Sequence, residues 1–125
     1  MIQKFEAGDI IKILKMDDHI EELFPCDKGE WIQWLMGILE NPRFLIVGTE
    51  DSYLVASDNV MLPISASVSI LMCYSNEGNV KELKDAVSKW ALNCGAREVR
   101  FITRDISMFM SYGVEKLADL GGWSL

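Results

Sequence analysis

The chain has 125 residues, half of them hydrophobic and a quarter charged, which is typical of one globular domain with its own core. The net charge of −7 argues against a broad nucleic-acid surface, because phosphate binding needs clustered lysine and arginine. No stretch reaches the roughly 20 apolar residues that span a bilayer, and the first residues lack the apolar segment of a signal peptide.

The first third of the chain predicts one short strand and two helices. Residues 1–5 have strand composition, and Asp9 is the predicted cap of the first helix. The second helix has the capping-box pattern of Asp27 and Glu30, and the Asn-Pro pair at 41–42 ends it. Its apolar face is predicted to consist of Trp31, Trp34, Leu35, Ile38 and Leu39.

Short apolar runs joined by turn residues follow, and they predict an antiparallel meander. The runs cover residues 44–47, 53–57, 60–62 and 67–74, with residues 48–52 as one of the turns. Period-two alternation in the last run predicts that one strand face carries Val68, Ile70, Met72 and Tyr74.

A strand–helix–strand unit comes next. The helix is predicted over residues 80–94, with Asn79 as its cap and Gly95 after its end. A crossover of this length makes the strands at 67–74 and 97–103 parallel. A last helix is predicted from about Asp105 to Leu120. The predicted class is therefore α+β, a single domain over residues 1–125 whose mixed sheet combines an antiparallel meander with one parallel βαβ step, flanked by helices.

Metal and thiol chemistry are not indicated by the sequence. The three cysteines, Cys26, Cys73 and Cys94, lack the paired spacing of a metal site, and His19 is the sole histidine. An odd number of cysteines on helix and strand positions predicts reduced thiols and a cytoplasmic location.

The order of elements resembles that of the GNAT N-acetyltransferase superfamily. The turn YSNEGNV, residues 74–80, stands where that family carries Gln/Arg-x-x-Gly-x-Gly/Ala, whose backbone N–H groups hold the pyrophosphate of coenzyme A. The resemblance implies acetyl-CoA as the cofactor of an active protein. The cofactor-binding residues that it implies are Ser75, Asn76, Gly78, Asn79 and Val80.

The resemblance also implies where catalytic groups would lie. The family's last helix carries a tyrosine that protonates the leaving thiolate, and Tyr112, seven residues after Asp105, is the candidate here. The strand at 67–74 has no carboxylate, so Glu98 and Asp105 are the nearest candidates for a general base. A last helix that ends at Leu120 leaves no room for the two further strands with which the family completes its substrate side.

Two functional hypotheses follow from the turn. Only Gly78 matches the motif, while Glu77 would repel a phosphate, a capping Asn79 would occupy an N–H group, and Val80 is bulky. The first hypothesis is a GNAT-like protein without catalysis or cofactor, which binds a protein partner or itself. Short GNAT-like proteins of tailed phages are similar in size and serve virion assembly, which would place the chain in a virion. The alternative is an acetyl-CoA-dependent N-acetyltransferase that acts on a small or peptide amine. Neither hypothesis involves nucleic acid or a membrane.

Overall fold

The computed structural model describes residues 2–16, 27–58, 67–75, 79–101, 115–117 and 120–125. The elements in chain order are β1 (Gln3–Lys4), α1 (Ala7–Met16), α2 (Lys28–Ile38), β2 (Phe44–Gly48), β3 (Tyr53–Asp58), β4 (Ser67–Tyr74), α3 (Val80–Asn93), β5 (Glu98–Phe101), β6 (Glu115–Leu117) and β7 (Leu120–Ser124). The strand expected at 60–62 lies outside the described residues. Within them, no helix is long and apolar enough to cross a membrane.

Among the described residues, seven strands form one mixed sheet in the order β1-β2-β3-β4-β5-β7-β6. Strands β1 to β4 pair antiparallel with their neighbours. Strands β4 and β5 run parallel, with Ser67 opposite Glu98 and Ile70 opposite Phe101. The predicted α+β class, the meander and the parallel crossover are therefore confirmed.

Each face of the sheet carries its own buried cluster. The helix α3 covers one face, where its stripe of Val80, Leu83, Val87 and Ala91 packs with sheet residues that include Val68 and Ile70. The helices α1 and α2 cover the other face, where Trp31, Leu35 and Ile38 pack with Tyr53, Val55 and Met72. The sheet thus has a helix layer on both sides, and the interior residues of the two layers do not mix.

A bulge in β4 corrects the predicted alternation. Val55 on β3 lies opposite Met72, but the next residue, Ala56, lies opposite Ile70, so that Leu71 is an extra residue on β4. The extra residue reverses the faces beyond it: Val68 and Ile70 face α3, whereas Met72 and Tyr74 lie with the α1–α2 cluster. The prediction that all four residues share one face is wrong, because strict alternation holds only for an uninterrupted ladder.

The end of the chain also departs from the prediction. Residues 115–117 and 120–124 are strands that pair with each other, and β7 also pairs antiparallel with β5. The predicted helix to Leu120 is therefore wrong for these residues, and its earlier part lies outside the described residues. Gly121 and Gly122, which directly follow the predicted end of the helix at Leu120, lie within β7 opposite Phe101 and Arg100. The two further strands expected to be missing are present.

The helix boundaries follow local chemistry. Helix α1 begins at Ala7, two residues before the predicted cap, and Asp9 lies in its first turn, where a carboxylate oxygen accepts the N–H of Glu6 at 2.9 Å. Helix α3 ends as predicted, and Gly95 follows it with φ +85°, a conformation that favours glycine.

Candidate functional site

The end of β4, the start of α3 and the β2–β3 turn come together at one edge of the sheet. Tyr53, the first residue of β3, pairs with Tyr74, the last residue of β4. The β2–β3 turn, residues 49–52, therefore lies beside the point where the chain leaves β4 for α3. The rings of Tyr53 and Tyr74 lie nearly parallel, with their centroids 6.3 Å apart.

The predicted cofactor residues are only partly described. Ser75 directly follows β4 and is half-buried, and Asn79 and Val80 form the start of α3. Asn76, Gly78 and the predicted catalytic Tyr112 lie outside the described residues. The structure thus describes the residues at the two ends of the predicted phosphate-binding turn, at the end of β4 and the start of α3, and the turn's role stays a prediction.

Asn79 does not cap α3, which corrects the sequence-based expectation. Its backbone has φ −110° and ψ −1°, and its side chain makes no capping hydrogen bond. The side-chain amide instead donates to Asp51 Oδ1 at 3.1 Å and to Thr49 Oγ1 at 3.4 Å. The reason for the error is a long-range contact, since the turn that holds this amide lies some thirty residues earlier in the chain.

Asp27 shows what a capping residue does in the same protein. Its backbone is extended, with φ −79° and ψ 170°, and Asp27 Oδ1 accepts the N–H of Glu30 at 2.8 Å. An extended backbone at the cap is the usual geometry, because it aims the side chain at the first-turn N–H groups. Asn79 has neither the backbone nor the contact, so its side chain leaves the first-turn N–H groups of α3 to other acceptors.

Val80 points into the core rather than toward the turn. It is 4% exposed and packs in the cluster that joins α3 to the sheet. A side chain that is buried on the sheet side of the helix gives no support to the expectation that its bulk obstructs an anion, which stays a prediction. The exposed residues of the first turn are Lys81 and Glu82, one of each charge.

The β2–β3 turn is a compact hydrogen-bonded unit. The hydroxyl oxygens of Thr49 and Ser52 lie 2.6 Å apart, Thr49 Oγ1 also donates to Asp51 Oδ1 at 2.9 Å, and Ser52 is fully buried. Gly48 makes the turn possible, because a Cβ there would lie 2.1 Å from the Ser52 carbonyl oxygen. The sequence indicated a turn here, but it gave no sign that the turn would contact α3.

The same turn is bound to α1 by charge. Lys12 Nζ lies 2.9 Å from Glu50 Oε1 and 3.1 Å from Asp9 Oδ1. Hydrogen bonds to Glu50 and then Asp9 raise the pKa of Lys12, and the Glu6 N–H, followed by Lys12, lowers the pKa of Asp9. Glu50 is exposed and the other two charges are only partly buried, so these contacts orient the turn more than they stabilise the fold.

Two cavities flank the turn. One, of about 420 Å³, is lined by Lys12, Lys15, Glu50, Asp51 and Tyr74. The other, of about 490 Å³, is lined by Gln3, Thr49, Glu50, Asp51 and Asn79. Both lie at the edge of the sheet where β4 ends, and both share the two acidic residues of the turn.

The two described thiols near the sheet are held in their protonated form. Burial raises the pKa of the Cys73 thiol to about 12, and burial together with the carboxylate of Asp58 raises the pKa of Cys94. Glu98, a candidate base, accepts a hydrogen bond from Arg100 Nε at 2.6 Å. Asp105, the other candidate, lies outside the described residues. The described residues contain no group of three metal-binding side chains.

Comparison with solved structures places this architecture among acetyltransferases. The yncA protein of Salmonella typhimurium, solved with its cofactor acetyl-CoA, superposes with a TM-score of 0.72 at 13% identity, over 100% of this chain and 92% of the other. An N-acetyltransferase from Staphylococcus aureus gives 0.67 at 14% identity, over 100% and 96%. A GNAT family acetyltransferase from Brucella melitensis in complex with acetyl-CoA gives 0.63 at 9% identity, over 100% and 87%.

Comparison by sequence gave no match, either to protein-family profiles or to curated proteins. The structural likeness at these identities establishes the fold and leaves the activity to be argued from the site.

Proposed function

We propose that this chain, which has the GNAT acetyltransferase fold, binds an acyl-CoA and transfers its acyl group to an amine. The proposal is supported most by one observation, the first turn of α3 at the end of β4, whose cap residue Asn79 is held elsewhere. Backbone N–H groups at a helix start, together with the helix dipole, favour a phosphate. The residues present at this position therefore fit the pyrophosphate of coenzyme A.

Three residues, Glu77, Asn79 and Val80, were expected to disfavour phosphate binding, and the geometry of two of them does not support that expectation. The Asn79 amide does not compete for the helix N–H groups, and the Val80 side chain lies in the core. The third residue, Glu77, lies outside the described residues. The balance between the two functional hypotheses thus moves toward the acyltransferase, and a role in assembly stays a prediction.

The bulge in β4 contributes to the proposed site. An extra residue in a strand leaves its backbone groups out of the ladder on one side, where they become available to a ligand. Leu71 is that residue, and it lies three positions before the end of the strand that leads to the cradle. An extended ligand held at the start of α3 and lying along β4 would meet the bulge with its far end.

When bound, acetyl-CoA supplies an activated acyl group as a thioester, which a neutral amine takes up with release of the thiol. The chain's part is to hold the phosphates at α3, to orient the ligand along β4 and to provide a path for the amine's proton. Tyr112 is retained as the proposed proton donor to the thiol.

Titration calorimetry with coenzyme A and acetyl-CoA tests the binding. Lys81→Glu reverses an exposed charge in the first turn of α3 and is expected to weaken binding about tenfold through repulsion of the phosphates. The same change improves the charge–dipole match of the helix, so a loss of folding would not explain it. Lys89→Glu is the matched control, because it makes the same change near the other end of α3 and is expected to alter affinity less than twofold.

Acyl transfer is then measured as release of free thiol from acetyl-CoA over a panel of primary amines and peptides. Binding without transfer to any amine would favour a non-catalytic ligand-binding protein. No binding at millimolar coenzyme A would overturn the proposal. Equal losses in the two lysine variants would show that the phosphates do not lie at the start of α3.

A further inference from the structure

The β2–β3 turn contacts the start of α3, where the proposed cofactor site lies, through the side chain of Asn79. Asn79 occupies the cap position of α3, yet its amide donates to two residues of this turn, Asp51 and Thr49. The turn is anchored on both sides, by the buried Ser52 directly before β3 and by the contact of Glu50 with Lys12 on α1. Its position is therefore fixed independently of α3.

An asparagine is among the best capping residues, and a released Asn79 would tend to cap. The comparison with Asp27 shows the two outcomes in one chain, since the capping residue has ψ 170° and Asn79 has ψ −1°. A capping side chain would accept the N–H of Lys81 or Glu82, which are donors that the proposed phosphate needs.

We infer that Asp51, assisted by Thr49, is a positioning residue that keeps the Asn79 side chain from capping α3 and so leaves the first-turn N–H groups open to the phosphates of the acyl-CoA. The inference rests on the proposed function for its ligand and on the hydrogen bonds of Asn79 for its mechanism. It gives Asp51 a favourable role near the proposed phosphate site, although its negative charge alone would be expected to weaken phosphate binding.

Charge and positioning predict opposite signs for one substitution. Asp51→Ala removes a negative charge near the phosphates, and if repulsion were its main effect, coenzyme A would bind more tightly. If Asp51 acts by holding Asn79, the released amide caps the helix and coenzyme A binds about fivefold more weakly, which corresponds to the roughly 1 kcal/mol of an N-cap. Calorimetry distinguishes the two directions.

A double-mutant cycle identifies the path of the effect. In an Asn79→Ala background no side chain is available to cap, so Asp51→Ala is expected to leave affinity unchanged or to raise it slightly. Asp85→Asn, which removes an exposed charge from the second turn of α3, is the charge control and is expected to change affinity less than twofold. Thr49→Val, which removes the other hydrogen-bond acceptor of the Asn79 amide, serves in place of Asp51→Ala if that variant does not fold.

Amide hydrogen exchange provides a readout that needs no ligand. In Asp51→Ala the amide of Glu82 or Lys81 is expected to exchange at least threefold more slowly than in the unmodified protein, because it gains a hydrogen-bond acceptor. Slower exchange in a protein that does not bind coenzyme A would support the tether and overturn only the acyl-CoA function. Unchanged exchange, or tighter binding by Asp51→Ala, would overturn the inference itself.

Discussion

Val80 illustrates how a side chain's direction decides its role. A valine in place of a small residue at a helix start suggests an obstructed cradle, but this valine is buried against Leu83 and the sheet. Bulk that points inward stabilises the helix on the sheet without affecting access from solvent. The next residue, Lys81, lies instead on the solvent-exposed side of the helix.

Val80→Ala is expected to lower the free energy of unfolding by about 1.5 to 3 kcal/mol, the value of a buried valine. Coenzyme A affinity of the folded variant should stay within twofold, because the removed methyl groups do not face the proposed site. Urea denaturation and calorimetry measure the two quantities, and Lys81→Ala is the exposed control for stability. A large gain in affinity would mean that Val80 does restrict the site.

The buried thiol of Cys73 predicts that the free energy of unfolding decreases at high pH. Burial holds the folded thiol protonated up to about pH 12, whereas the unfolded thiol ionises from about pH 9. The unfolded state therefore loses its proton first, and the contribution of Cys73 to stability falls as the pH rises above 9. The stability advantage of the unmodified protein over Cys73→Ala should shrink by about 1.4 kcal/mol between pH 8 and pH 10.

Urea denaturation of both proteins at several pH values checks this, and comparing them cancels the titration of Cys94 and of the lysines. If the difference in unfolding free energy between the unmodified protein and Cys73→Ala stays constant up to pH 10, Cys73 ionises in the folded protein as it does in solvent.

At the scale of single elements, α2 is the clearest case of a helix specified by its own sequence. The capping aspartate and the buried face of Trp31, Leu35 and Ile38 are confirmed. Trp34 differs, since it is 38% exposed and stacks on Trp31 with ring centroids 5.0 Å apart. The helix therefore shows one aromatic side chain to solvent beside the one that it buries.

Leu35→Ala is expected to cost about 2 to 5 kcal/mol, because the side chain is fully buried between α2 and the sheet and leaves a cavity. Met36→Ala, next in sequence and 45% exposed, is the matched control and should change stability by less than about 0.5 kcal/mol. Chemical denaturation measures both. Equal costs at the two positions would mean that the buried face of α2 has been misassigned.

The elements that sequence reasoning missed share a physical cause. Caps and apolar stripes are local signals, and they located α2, α3 and the parallel crossover. The bulge at Leu71, the tether of Asn79 and the strands at 115–117 and 120–124 depend on contacts between distant segments. A glycine pair reads as a helix stop in the sequence, but opposite β5 it forms part of a strand.

At the scale of the whole molecule, the sheet depends on its last two strands. Strand β7 lies between β5 and β6 and forms the antiparallel partner of β5 on the side away from β4. Ending the chain after residue 114 would turn β5 into an exposed edge and remove two of the seven strands that the structure describes. We expect this variant to be unfolded or insoluble by circular dichroism and sedimentation.

Removing Leu125 alone is the control, since this exposed residue follows β7 and its loss breaks one backbone hydrogen bond, from its N–H to the Arg97 carbonyl oxygen, but none of the described strand pairs. A soluble, cooperatively unfolding protein without residues 115–125 would contradict the dependence of the sheet on these strands.

The position of β7 also bears on how the chain folds during synthesis. Strands β1 to β5 leave the ribosome before the residues that complete the second edge of β5, so a nascent chain carries an open hydrogen-bonding edge until residues 120–124 emerge. Pairing between distant segments slows folding, and an open edge invites pairing with another chain. A chain in which β7 has not yet paired with β5 is therefore open to pairing with another chain at this edge, and a chaperone that covers strand edges would act at this stage.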